Sequence, residues 1–122
     1  MNVYLDNAAT TPMLPEVVEA MLPYMRDHFG NPSSTHQFGR RTKTAIEQSR
    51  RQIAGQLGVE PRTVCFTSGG TESDNMALHA SVDQLGCKRI LTCATEHSAV
   101  LKTAEHLGKR GDVTCGLLQL DA

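Results

Sequence analysis

The chain has 122 residues, a formal charge of −1, 39% hydrophobic residues and 20% charged ones. That balance fits a globular domain large enough to bury a core, and argues against a disordered segment. It gives no electrostatic reason to expect nucleic acid. No apolar run approaches the ~20 residues needed to cross a membrane, and Met1 to Thr11 lack the basic and apolar regions of a secretory signal, so the expected location is cytoplasmic.

Val3-Tyr4-Leu5 is a short extended run that breaks at Asp6-Asn7, and Ala8 to Pro12 reads as irregular. A helix is expected from about Pro15, because Val17, Val18, Met21, Leu22 and Met25 recur at three- and four-residue intervals. Pro23 is expected to kink it or end it early. Gly30 to Ser34 is loop chemistry. A second helix is expected from about Gly39 to Leu57, with Ile46, Ile53 and Leu57 on one side and Gly58 placed to end it. Its arginines read as a solvated face rather than a binding surface.

An alternation of strands and helices follows. Thr63 to Thr67 is a strand candidate, Thr71 to about Leu85 a helix, and Arg89 to Cys93 a strand. His97 to about Lys109 is a helix and Val113 to Leu120 a strand. This order predicts βαβ units and a parallel sheet covered by helices. A sheet of so few strands keeps open edges, so the chain reads as cut short. The four cysteines, Cys65, Cys87, Cys93 and Cys115, include no C-x-x-C pair, which argues against zinc. They are expected to be buried, reduced thiols.

The junction between Thr63–Thr67 and the next helix reads Ser68-Gly69-Gly70-Thr71-Glu72-Ser73. The first amides of a helix have no intrahelical partner and sit at the positive end of its dipole. Glycines admit a ligand close to the backbone. The segment therefore reads either as a phosphate cradle or as a plain helix cap, with Ser or Thr capping and Glu72 complementing the dipole. It matches neither G-x-x-x-x-G-K-S/T nor G-x-G-x-x-G, and no lysine sits nearby in sequence. At the next such junction, His97 is either a residue at a helix start or a ring that stacks on a ligand and moves protons. No G-x-S-x-G supports a serine hydrolase.

Together, "YLDNAATTP" (Tyr4 to Pro12), "FGNPSSTHQFG" (Phe29 to Gly39), "FTSGGTESDN" (Phe66 to Asn75) and "TEHSAV" (Thr95 to Val100) resemble the cysteine desulfurases. The resemblance is to the branch serving nitrogen fixation and general iron–sulfur cluster assembly. It implies an α/β fold, the N-terminal part of the type I aspartate-aminotransferase fold. Residues 1–122 would be the N-terminal arm and helices plus the first part of the large domain that binds pyridoxal 5'-phosphate, with the remainder absent.

The implied enzyme is a homodimer. It takes sulfur from L-cysteine, releases L-alanine, and passes a persulfide sulfur to an acceptor scaffold protein. By resemblance Gly70 and Thr71 hold the cofactor phosphate, His97 stacks on the pyridine ring and exchanges protons, and Asn7, Ala8 and Thr10 are candidate substrate-side contacts. Asn31 to His36 would shape the dimer contact or the entrance. No lysine here matches the family's Schiff-base lysine and no cysteine its persulfide cysteine, so residues 1–122 alone are expected not to desulfurate cysteine. Alternatives are a related enzyme acting on cysteine sulfinate or kynurenine, and a non-catalytic interaction module. A lysine segment without a later cysteine would favour the former, and no lysine in any chain the latter.

Overall fold

The computed structural model describes residues 1–119, and the chain divides into two compact units at Val64–Cys65. In the first unit, the amides of Ala9 and Thr10 both donate to the Asp6 carbonyl (3.1 and 3.3 Å), closing a turn over Asn7 and Ala8. Helix α1 spans Pro15–Arg26, with proline at its start, where no amide is needed, and Glu16 and Arg26 matched to the dipole at its two ends. Pro23 does not stop α1 at once: three further residues stay helical, and then the amides of Asp27 and His28 both close on the Pro23 carbonyl.

Helix α2 spans Gln37–Leu57, starting two residues before the expected Gly39, because His36 Nδ1 accepts from the Gly39 amide at 3.4 Å and caps it. It ends at Gly58, whose φ of 66° is left-handed, with the Val59 amide on the Ala54 carbonyl at 3.0 Å. The loop before α2 folds tightly against its first turn. A Cβ on Gly30 would lie 2.5 Å from the Phe38 carbonyl carbon, and one on Gly39 would lie 2.5 Å from the Asn31 carbonyl oxygen. Asn31 Oδ1 accepts from the Ser33 amide (2.9 Å), Ser34 donates to the Asn31 carbonyl (3.0 Å), and Arg40 reaches the Thr35 carbonyl. Most of the basic side chains of α2 are exposed as expected. Arg50 is the exception: it is half-buried and bonded to Glu47 and to the Val64 carbonyl.

The second unit is the expected strand–helix alternation with one correction. Thr63 to Thr67, expected as a strand, form none: Thr63 ends a short 3-10 turn (Pro61–Thr63) and residues 64–67 are irregular. Val64 has an extended backbone (φ −86°, ψ 119°), but a strand is defined by its neighbour, and among the described residues this segment has none. Helix α3 (Gly70–Asp83), strand β1 (Arg89–Cys93), helix α4 (Ser98–Gly108) and strand β2 (Thr114–Leu118) follow. Leu120, expected in the last strand, lies outside the described residues. Strands β1 and β2 are parallel, in register from Arg89↔Thr114 to Cys93↔Leu118. Val82, Ile90, Ala104, Leu107 and Val113 form the core, with Leu78 and Cys115 against it. One face of β1, Ile90 and Thr92, is buried, while Leu91 between them is exposed.

The cysteines are free as expected but none is fully buried: Cys65 and Cys87 are exposed, Cys93 and Cys115 half-buried. Cys65 and Cys87 lie in connections rather than in the sheet, so no packed layer covers them. No helix among the described residues is long and apolar enough to cross a membrane.

Candidate functional site

Helix α3 begins at Gly70 behind Gly69, whose backbone is extended (φ 163°, ψ −178°) and whose missing side chain leaves the helix without a side-chain cap. The expected Ser or Thr cap is therefore not what the segment builds. The hydroxyls brace the turn instead. Thr67 Oγ1 donates to the Gly69 carbonyl (3.2 Å) and lies 2.6 Å from Ser73 Oγ. Glu72 Oε2 turns back to accept from the amide (2.6 Å) and hydroxyl (2.7 Å) of Ser68. Those two bonds hold the Glu72 carboxyl below its ordinary range.

The consequence lies in what is left over. The amides of Gly70, Thr71 and Glu72, the first three of α3, find no acceptor among the described residues, and neither does the Thr71 hydroxyl. A Cβ at Gly69 or Gly70 would meet nothing within 4 Å, so the approach to those amides is open. Three donors on the positive end of a 14-residue helix suit an anion with several oxygens.

Helix α4 starts beside this point. Thr71, Asn75, Ser98, Ala99, Lys102 and Thr103 line one open hollow of about 270 Å³. Thr103, in the middle of α4, bonds Asn75 in the first half of α3, and Arg110, just past α4, bonds Asp83 at the end of α3. The two helices therefore run in the same sense, with their N-termini at one end. His97 is the residue before α4. Its Nδ1 accepts from the Ala99 amide at 3.2 Å, and the ring is exposed. A neutral imidazole held this way carries its proton on Nε2, the nitrogen left free for a ligand.

Thr71 and the start of α4 are thus brought together within the second unit. Asn7, Ala8 and Thr10 belong to the first unit. Asn7 and Ala8 are exposed on the turn described above, and the Thr10 hydroxyl is taken up by Tyr4 Oη at 2.6 Å. Sequence reasoning missed Lys102, which lines the hollow from one turn inside α4 although it is remote from Thr71 along the chain. It also missed Asn75 and Thr103. The available signal was a threonine in the apolar stripe that Ala99, Thr103 and Leu107 make on α4, since a buried hydroxyl needs a partner.

Residues 3–122 match the model of the family described as aminotransferase class V. The chain belongs to the class-V aminotransferase family. This class-V chain is 51% identical, over 111 residues and 89% of its length, to a protein of Dictyoglomus turgidum named cysteine desulfurase IscS, and covers 28% of that protein. It is 50% identical to the protein of that name from Methanosarcina thermophila, again over 28% of the relative. Among solved structures it superposes on a NifS-like protein with a TM-score of 0.87 at 36% identity, over 99% of this chain and 34% of the other. DndA of Streptomyces lividans matches at 0.73 and 40%, over 95% of this chain and 33% of the other. The chain thus spans about a third of the length of the relatives it matches, and its α/β architecture with a small parallel sheet is the N-terminal part of theirs.

Proposed function

We propose that the polypeptide carrying this class-V chain is a pyridoxal 5'-phosphate-dependent cysteine desulfurase, and that residues 1–122 are its N-terminal arm and helices plus the first part of the cofactor-binding domain. The single observation that carries the cofactor reading is the start of α3. Three amides without acceptors sit behind glycines with open space, where a capping side chain would otherwise block an anion. The residues present fit a phosphate group. The relatives' printed name, cysteine desulfurase, supports the reaction.

In this reading the amides of Gly70, Thr71 and Glu72 and the Thr71 hydroxyl hold the phosphate dianion, and Lys102 adds positive charge beside them. The bound cofactor supplies an electron sink for the substrate's α-carbon. His97 lays its exposed ring against the pyridine face, and its Nε2 holds or moves a proton at the substrate. The Ala99 amide on Nδ1 fixes that ring's tautomer. Asn7, Ala8 and Thr10 contact the substrate side. The C–S bond of L-cysteine breaks, its sulfur forms an S–S bond to an enzyme thiol, and L-alanine leaves, with no external oxidant. The thiol is none of Cys65, Cys87, Cys93 or Cys115, and the persulfide passes to an acceptor scaffold protein. The enzyme works as a cytoplasmic homodimer.

The test is to incubate the purified polypeptide with pyridoxal 5'-phosphate, L-cysteine and a thiol reductant, and to follow alanine and sulfide. Equimolar release is expected, with H97A lowering kcat by about 10²-fold or more. Alanine formed from cysteine sulfinate but not from cysteine, or none from either, would contradict the reading.

A further inference from the structure

Helices α3 and α4 are tied by side chains at two levels. The tie between Arg110 and Asp83 is an exposed ion pair. The tie between Thr103 and Asn75, the sixth residue of each helix, is different in kind. Thr103 is 7% exposed and faces the core from α4. A buried helical threonine satisfies its hydroxyl by donating to the carbonyl four residues back, and Thr103 does so to Ala99 at 2.7 Å. It also lies 2.6 Å from Asn75 Oδ1. The single hydroxyl proton is shared between two acceptors, which back-bonding alone does not require.

Asn75 explains the arrangement. Its Nδ2 donates to the Thr71 carbonyl at 2.6 Å. That bond orients the amide, because reversing it would set Oδ1 against a second acceptor. With the donor end turned to Thr71, the acceptor end faces α4, and Thr103 donates to it. Polar contacts therefore run without a gap from Thr71 through Asn75 and Thr103 to Ala99, whose amide in turn donates to His97 Nδ1 at 3.2 Å. One end of this line is the residue at the anion-binding amides. The other is the exposed ring.

We infer that Asn75 and Thr103 are positioning residues that hold the start of α3 and His97 at a fixed separation, so that the phosphate and the ring of one rigid cofactor are met at once. The inference rests on the cofactor reading above. A rigid ligand gripped at two points is bound well only if the grips keep their spacing, and small misplacements are costly. Neither side chain is among the donors assigned to the phosphate, and each acts through its bond to a neighbour of that site.

The experiment is an absorbance titration of the full polypeptide with pyridoxal 5'-phosphate and with pyridoxal, which lacks the phosphate, on T103V, T103S, N75A, T71A and H97A. T103V keeps the shape and removes the hydroxyl. It and N75A are expected to weaken the phosphorylated ligand about tenfold more than pyridoxal, the equivalent of one lost hydrogen bond, and T103S is expected to restore the wild-type ratio. In an H97A background the T103V penalty should shrink, because only one grip is left to be matched. Equal losses for both ligands, or a T103V penalty unchanged by H97A, would make the pair merely structural and overturn the inference. So would wild-type binding by T103V and N75A when T71A is impaired. Equal binding of pyridoxal 5'-phosphate and pyridoxal by the wild type would instead overturn the cradle itself, and this inference with it.

Discussion

Gly30, Gly39 and Gly55 are the same residue type in one unit of the chain, and the surroundings give them opposite roles. Gly30 and Gly39 are buried where backbone lies against backbone, and any Cβ there overlaps main-chain atoms that cannot swing aside. G30A and G39A should each destabilise by about 1–3 kcal/mol or more, as overpacked sites do. Gly55 sits inside α2 with nothing within 4 Å of a Cβ, so G55A should stabilise by about 0.5–1 kcal/mol through helix propensity. Urea unfolding of the three variants checks the contrast, and a G39A variant as stable as the wild type would contradict the tight packing of the loop on α2. The sequence shows Gly30 to Ser34 as a loop, yet not that Gly30 and Gly39 lie against the neighbouring backbone, because close approach belongs to two segments at once. Glu72 was legible as an acid in a first turn. Its attachment to Ser68 was not, since that depends on the extended backbone at Gly69. Its lowered pKa means that the Ser68–carboxylate bonds are intact above the ordinary glutamate range and are lost as pH falls through the lowered value. The Ser68 amide resonance should therefore titrate with a midpoint below the ordinary glutamate value. A midpoint at or above that value would contradict the bonds.

At the scale of elements, periodicity found the helices because each α-helix completes its hydrogen bonds within itself. β1 was legible to the residue, and β2 nearly so, because their apolar runs are bounded by Gly86 and by Gly111-Asp112. The segment 64–67 was not, because an extended run becomes a strand only when another strand lies beside it. The cysteines show the same limit: apolar character is local, but burial depends on what covers the residue. The packing of α3 on α4 converges on Leu107, which is 0% exposed. L107A should cost about 2–5 kcal/mol and expose the amides of β1 to exchange. Protection unchanged in β1 would mean that the small core does not hold the sheet. At the far end of the helices, Arg110 holds the Asp83 carboxyl below its ordinary range, chiefly by a hydrogen bond. This contribution is present above the ordinary carboxylate pKa and disappears as pH falls through the lowered one. The stability difference between wild type and D83N should therefore vanish in acid, and a difference that grows below about pH 4 would contradict the ion pair.

For the whole molecule, four motifs in order made the family legible where no single one would have done, because the start of α3 is also read as an ordinary helix start until its relatives are set beside it. Two units are described, and the sequence motifs fall in both: the Asp6–Thr10 turn and the loop before α2 in the first, the starts of α3 and α4 in the second. The cofactor reading rests on the uncapped amides at the start of α3. The most direct measurement is a crystal structure of the full polypeptide with pyridoxal 5'-phosphate. The account predicts phosphate oxygens at about 2.7–3.1 Å from the amides of Gly70, Thr71 and Glu72 and from the Thr71 hydroxyl, with the His97 ring over the pyridine. A phosphate bound elsewhere, with those amides left to water, would contradict it.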